Sequence, residues 1–174
     1  MKIWTIGMLL IVFITLILTV FRIAPGQSKL HILRDQTHFP IVSGNNLNRD
    51  EFEFPRDFAG AINLVIIPFQ QQQQLIVNTW IPFLQEAEGT YPSFVYYELP
   101  TIYEMPTLSR TFINEGMRAG IPDELSRQRT ITLYLNKEAF KDALNISSEN
   151  QIYLYLVSKA GEILWSEKGE FSQE

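Results

Sequence analysis

The chain has 174 residues, 46% hydrophobic and 19% charged, with a net charge of −5 and no cysteine. That length allows one globular domain with a sizeable core plus a short appendage. The missing cysteine excludes disulfides, thiolate nucleophiles, thiol redox chemistry and cysteine metal sites, and the acidic balance argues against nucleic acid as a partner, which would demand a dominant basic surface.

The appendage is N-terminal. "WTIGMLLIVFITLILTVF", Trp4 to Phe21, runs 18 residues without a charge between Lys2 and Arg22, which reaches the span of a hydrocarbon core. A cleaved signal peptide would have a shorter apolar region and small residues at its exit, whereas Arg22 stands two before Ala24. Residues 1–22 are therefore expected to be a retained transmembrane anchor. Pro25, Gly26, Gln27 and Ser28 give residues 23–37 the composition of a tether. The remaining domain, 38–174, is expected to lie outside the cytoplasm, although Lys2 against Arg22, Lys29 and Arg34 leaves the positive-inside comparison nearly balanced.

The domain opens with "FPIVSGNNLNRDEFEFPRDFAG", short apolar runs around a Gly44-Asn45-Asn46 turn signal, read as a β-hairpin and a loop through Pro55 and Gly60. "AINLVIIPF" is apolar throughout, which marks a central strand covered on both faces. Gln70 to Gln74 follow. From Gln72 to Glu88 apolar residues recur at Leu75, Ile76, Trp80, Phe83 and Leu84, close to helical spacing, with Pro82 inside as an expected kink. "SFVYYEL" is a strand, and "TLSRTFINEGMRAGI" a helix opened by Thr107 or Ser109 and closed near Gly120. "RTITLYL" and "QIYLYLV" are strands separated by a short helix at Lys137 to Leu144, and Lys159-Ala160-Gly161 turns into "EILWSEKG".

The order hairpin, β-α-β-α-β, short α, β-β predicts an α/β domain with a mixed sheet flanked by helices, parallel at first and antiparallel at the end. It is the order of the thioredoxin fold. Phe69 closes the first central strand and Pro82 falls where thioredoxin-like proteins kink the following helix. That fit puts their Cys-x-x-Cys at Gln74 and Val77 and their cis-proline at Thr130, so both signatures are missing. Four segments, "FPRDFAGAINLVIIPFQQQQQLIVNTWIPFL", "GMRAGI", "TLYLNKEAFKDALNI" and "LYLVSKAGEILWSEKG", resemble the thioredoxin-like family of mitochondrial ATP-synthase assembly factors and their bacterial relatives. The resemblance spans Phe39 to Gly169 and implies an assembly or chaperone-like role at a membrane, with a membrane-protein client, no cofactor and no turnover reaction.

The remaining polar residues divide into ordinary surface and candidate site. His31, Asp35 and His38 lack further metal ligands, Glu86 with Glu88 and Asp123 with Glu124 are solvated helix-end charges, and Asn145-Ile146-Ser147 fits a glycosylation pattern that matters only in a eukaryotic secretory setting. Trp80, Phe83 and Trp165 suit the inward faces of a helix and a strand. No catalytic residue is assigned.

The candidate binding residues are Gln70, Gln71, Gln74, Arg118, Arg127, Arg129 and Thr130. Four of the chain's eight arginines, Arg110, Arg118, Arg127 and Arg129, fall within 20 residues. In a thioredoxin-like topology the loop Ile121 to Thr130 is expected to return beside the glutamines, converging guanidinium forks with amides at a helix N-terminus. Surface pairing of those arginines with Glu115, Asp123 and Glu124 is the competing expectation. Three functions fit: a membrane-anchored non-redox assembly factor or protein-interaction module, a small-molecule or anion-binding domain, and an enzyme using non-thiol chemistry on the same fold.

Overall fold

The computed structural model describes residues 38–172; the expected anchor and tether, with His31 and Asp35, lie outside the described residues. The strands are β1 (Val42–Asn46), β2 (Glu51–Phe54), β3 (Ile62–Ile67), β4 (Phe94–Glu98), β5 (Thr101–Tyr103), β6 (Ile131–Leu135), β7 (Tyr153–Ser158) and β8 (Ile163–Lys168). The helices are α1 (Gln74–Thr90), α2 (Thr107–Gly120), α3 (Glu124–Arg129) and α4 (Lys137–Ala143), and a single 3-10 turn, Gln71–Gln73, precedes α1.

The strands form two four-stranded ladders, β2-β1-β6-β5 and β4-β3-β7-β8. They join because β4 and β5 are consecutive stretches of one extended path. Leu99 N donates to Ile66 O at 2.7 Å, Thr101 N to Pro68 O at 2.9 Å and Leu133 N to Pro100 O at 2.9 Å, while Glu98 bridges Thr130 in parallel. The β3-β4 and β5-β6 pairings are parallel, and β3-β7 and β7-β8 are antiparallel. The expected parallel beginning and antiparallel finish are thus both present.

The continuous apolar run of β3 is explained by its position. Leu64 and Ile66 join Val77, Trp80 and Leu84 of α1 on one face; Val65 and Ile67 join Phe39, Phe54, Phe58, Phe140 and Leu144 on the other. Truncating a fully buried side chain of this kind, Leu84 for example, costs ~2–5 kcal/mol. Pro82 does lie inside α1, leaving the Asn78 carbonyl without its helical partner, yet the helix continues to Thr90.

Three local expectations change. Gly44 is not in the hairpin turn: it sits within β1, where a Cβ would stand 2.5 Å from Thr132 O, so the glycine is needed for strand contact. The turn follows at Leu47 to Asp50, where Asn46 Oδ1 accepts from Asn48 N at 3.0 Å and Asp50 N at 2.8 Å. Neither Thr107 nor Ser109 caps α2, whose N-cap is Pro106. Finally, α3 is an additional helix, capped by Asp123 accepting from Ser126 N at 2.7 Å.

Candidate functional site

The junction between β3 and α1 is built by its own glutamines. After Pro68 the backbone stays extended through Gln70, then closes the 3-10 turn that feeds α1. Buried Gln73 is the keystone: its Oε1 accepts from Phe69 N at 2.7 Å and Gln70 N at 3.2 Å, and its Nε2 donates to Glu149 O at 2.7 Å. Gln70 Nε2 donates to the same carbonyl at 3.1 Å. Side-chain amides serve here because one group can satisfy backbone donors and a backbone acceptor at once. The tract is therefore a built turn, and its outward residues Gln71 and Gln72 are exposed on it.

Glu149 lies just ahead of β7. Lys137 Nζ reaches its Oε2 at 2.6 Å and Lys141 Nζ its Oε1 at 2.8 Å, while Lys137 also stands 4.4 Å over the Tyr103 ring and 5.4 Å over Phe69. Burial works against the Glu149 charge, but the two lysines outweigh it and hold the carboxyl below its ordinary range. The junction is thus fastened from behind by a closed ionic cluster.

On the opposite face of the sheet lies a different acid. Glu98 ends β4 and is 5% exposed. Its Oε2 lies 3.4 Å from Gln74 Nε2, and its Oε1 accepts no hydrogen bond among the described residues. Burial pushes this carboxyl up to about 7, against a smaller opposing effect from Gln74.

The arginines do not gather here. Arg127 Nη1 donates to Ile121 O at 3.0 Å and Pro122 O at 2.7 Å, closing the end of α2. Arg129 pairs with Glu88, donates to Tyr96 O at 3.2 Å and stands 4.8 Å over the Tyr96 ring. Glu88 is 14 residues beyond Gln74 along α1, about 21 Å at helical rise. Arg118 sits in the last turn of α2, partly exposed. The expected convergence of Arg127 and Arg129 with Gln70, Gln71 and Gln74 is therefore corrected: those guanidinium groups bind their own fold, Arg127 at the end of α2 and Arg129 at the far end of α1. Of the candidates after α2, Thr130 alone reaches the junction's surroundings, through its backbone bridge to Glu98, while its hydroxyl donates to Ser126 O at 2.8 Å.

The position assigned to the missing cis-proline is corrected as well. Thr130 leads into β6, which pairs with β1 and β5; the strand running antiparallel to β3 is β7, preceded by Gln151 and Ile152. It is accordingly the loop ahead of β7, through Glu149, that meets the glutamines. Gln74 and Val77 do lie in the first turn of α1, Val77 fully buried. Among the described residues no group of three or more His, Asp or Glu is placed to hold a metal ion.

The residues that sequence reasoning passed over are Gln73, Lys137, Glu149 and Glu98. For Glu98 a signal was present. In "SFVYYEL" alternation puts it on the same side as Phe94 and Tyr96, so an inward strand made it an inward acid. Lys137 and Glu149 carried none, since nothing local says that residues 12 apart will meet.

No protein-family model and no curated protein matches the sequence. Solved structures match in fold. The thioredoxin domain of a thiol-disulfide oxidoreductase from Bacteroides vulgatus is 18% identical, with 78% of this chain and 89% of that one covered at a TM-score of 0.51. An exposed lipoprotein thioredoxin from Streptococcus pneumoniae is 7% identical, with 78% and 92% covered at 0.51. BsSco, a member of the Sco family of cytochrome c oxidase assembly proteins, is 10% identical, with 76% and 84% covered at 0.50. The described domain has the thioredoxin-like α/β fold, in a chain without a single cysteine.

Proposed function

We propose that this chain is a membrane-anchored, non-redox thioredoxin-like protein that docks a membrane-protein client at the β3-α1 junction, as an assembly factor does. The observation that carries the reading is the junction itself: a rigid turn held by Gln73 and Glu149 presents Gln71 and Gln72 together with Leu75, which is 75% exposed. A turn fixed from behind and bare in front loses little conformational freedom when something binds it. Tyr103 and Leu108, 51% and 86% exposed, end β5 and begin α2 at the same C-terminal edge of the parallel strands, extending the surface with apolar area. Ligands of open α/β sheets bind outside this edge.

The client is a protein in this reading, because the exposed groups are amides and apolar side chains and because Arg127 and Arg129 are already bonded within the fold. That internal bonding removes the support for an anion site. The anchor at residues 1–22 would hold the domain outside the cytoplasm beside its client. The Sco-family likeness is one instance of this fold in an assembly protein, and the sequence resemblance to mitochondrial ATP-synthase assembly factors points the same way without fixing the client.

The test is photocrosslinking from Gln71 and Leu75 in native membranes, with Leu164, an exposed apolar residue of β8, as the reference position. Discrete adducts at the first two positions, lost in a Gln71→Glu, Leu75→Glu variant of unchanged melting temperature, are expected. Equal adducts from Leu164, or adducts indifferent to the double variant, would sink the reading.

A further inference from the structure

Beneath the proposed docking edge lies an acid that the fold leaves almost without partners. Strand alternation turns Phe94, Tyr96 and Glu98 of β4 towards α1, and the first two join its apolar layer. Glu98 ends the row under the first turn of the helix. Among the described residues Gln74 Nε2 is its one polar contact, long at 3.4 Å and shared with Asn78 Oδ1 at 3.2 Å.

Among the described residues no cation is placed to neutralise it. β3, β6 and β7 carry no charged residue. The acids of α1, Glu86 and Glu88, stand in its last turns. Of α3, Glu124 stands at the start, Arg129 is held by Glu88 and Arg127 by the Ile121 and Pro122 carbonyls. Arg110 of α2 is bonded to Met105 O, and Arg118 lies in that helix's last turn near Glu115. Lys137, Lys141 and Glu149 form their own cluster, with Lys137 over Phe69 on the other face of the sheet.

A carboxylate so placed would be a buried charge with one weak hydrogen bond, whereas the neutral acid avoids most of that cost. Water can reach it by a local movement. Gln71, Gln72 and Leu75 are already exposed and Gln74 and Ile76 are half-buried, so lifting Gln74 to Ile76 uncovers only part of one apolar side chain; Val77, which closes the first turn, and Trp80 beyond it are core and stay seated.

We propose that Glu98 and Gln74 form a proton-operated latch, in which the neutral acid keeps Gln74 to Ile76, the start of α1, seated on β4 and the carboxylate lifts them towards water. The latch works in the neutral range, since burial raises the Glu98 carboxyl to about 7. Its bearing on client capture rests on the docking edge proposed above; the latch itself does not.

The experiment uses the full chain in detergent micelles, without a partner. NMR follows the Glu98 carboxyl carbon through pH, and amide exchange gives protection factors, corrected for intrinsic rate, at Leu75 to Asn78 and at Trp80 to Ala87. Titration near neutrality is expected, with protection at Leu75 to Asn78 roughly ten-fold lower at pH 8 than at pH 6 by proton linkage, and no change further along the helix. In Glu98→Gln the drop should vanish. Titration in the ordinary carboxylate range, protection that ignores pH, or a drop that survives in Glu98→Gln overturns the latch; the wild-type titration decides even if the variant folds poorly. Because no client is present, failure here removes the latch and spares the docking edge, while failed crosslinking from Gln71 and Leu75 spares the titration.

Discussion

Glu88 and Glu98 are two acids largely withdrawn from water in the layer formed by α1 and the sheet, and the fold treats them in opposite ways. Glu88, its side chain 14% exposed, is met by Arg129, which also takes the Tyr96 carbonyl and lies over the Tyr96 ring. Glu98, 5% exposed, is met among the described residues only by an amide at 3.4 Å. A charge supplied with its cation belongs to the architecture and is costly to disturb. A buried acid left without one holds its proton more tightly than a solvated carboxyl, the kind of perturbed group that clusters at functional sites.

The largest effect that would break this contrast comes from its paired half. Arg129→Ala leaves Glu88 withdrawn from water without its guanidinium, and a loss of about 3 kcal/mol is expected from urea unfolding. Recovery of most of that loss in a matched apolar pair, Arg129→Met with Glu88→Leu, would identify desolvation of the orphaned acid as the cause. A loss under about 0.5 kcal/mol would put the pair among ordinary surface bridges and abolish the distinction.

Gln73→Ala probes the frame behind the docking edge. It strips the side-chain acceptor from Phe69 N and Gln70 N and a donor from Glu149 O, and a cost of about 2–3 kcal/mol follows from leaving buried groups unpaired. Gln73→Glu keeps the acceptor but faces Glu149 O with an oxygen, so it should recover only part of the loss in the same unfolding measurement.

The unpaired half gives a pH-dependent effect of about 3 kcal/mol across the window that follows. The Glu98 carboxyl lies above its ordinary 4.5, at about 7, so the folded state holds a proton that the unfolded chain has released. Stability therefore falls as pH rises from about 4.5 to 7 and levels off above. Glu98→Gln should flatten that slope, matching wild type near pH 4 and exceeding it at pH 8. Parallel stability curves for the two proteins would show that Glu98 ionises without penalty.

Much of this is legible in the sequence. The unbroken apolar run of β3 identified the centre of the sheet, the spacing from Leu75 to Leu84 gave α1, and a strand just before and a helix just after a tract too short to be slack made the glutamines a turn. Strand pairing was not readable. "ITLYL" and "YLYLVS" have nearly the same β-branched, leucine and tyrosine content, so nothing local tells which one lies antiparallel to β3. Choosing β6 carried Arg127 and Arg129 to the glutamines, and the true neighbour, β7, brings Glu149 instead. Gly44 misled for a related reason: a glycine required by a neighbouring backbone looks, in one dimension, like a glycine required by a turn. The helix α3 did leave a trace, since Pro122-Asp123-Glu124 is a helix-start pattern.

One consequence concerns reach. Phe39 N is bonded to Gly161 O at 2.7 Å and His38 bridges Glu162, so the chain enters this domain against the β7-β8 turn. Ile62 lies opposite Ser158 and Ile67 opposite Tyr153, which puts that point of attachment and the glutamine turn at opposite ends of β3. Six residues of strand separate them, about 20 Å. The glutamine turn thus lies at the end of this domain away from the point where residue 38 enters it. Load applied between that entry point and the glutamine turn would run lengthwise through β3 and its hydrogen-bonded neighbours β4 and β7, the direction in which many backbone bonds share the strain.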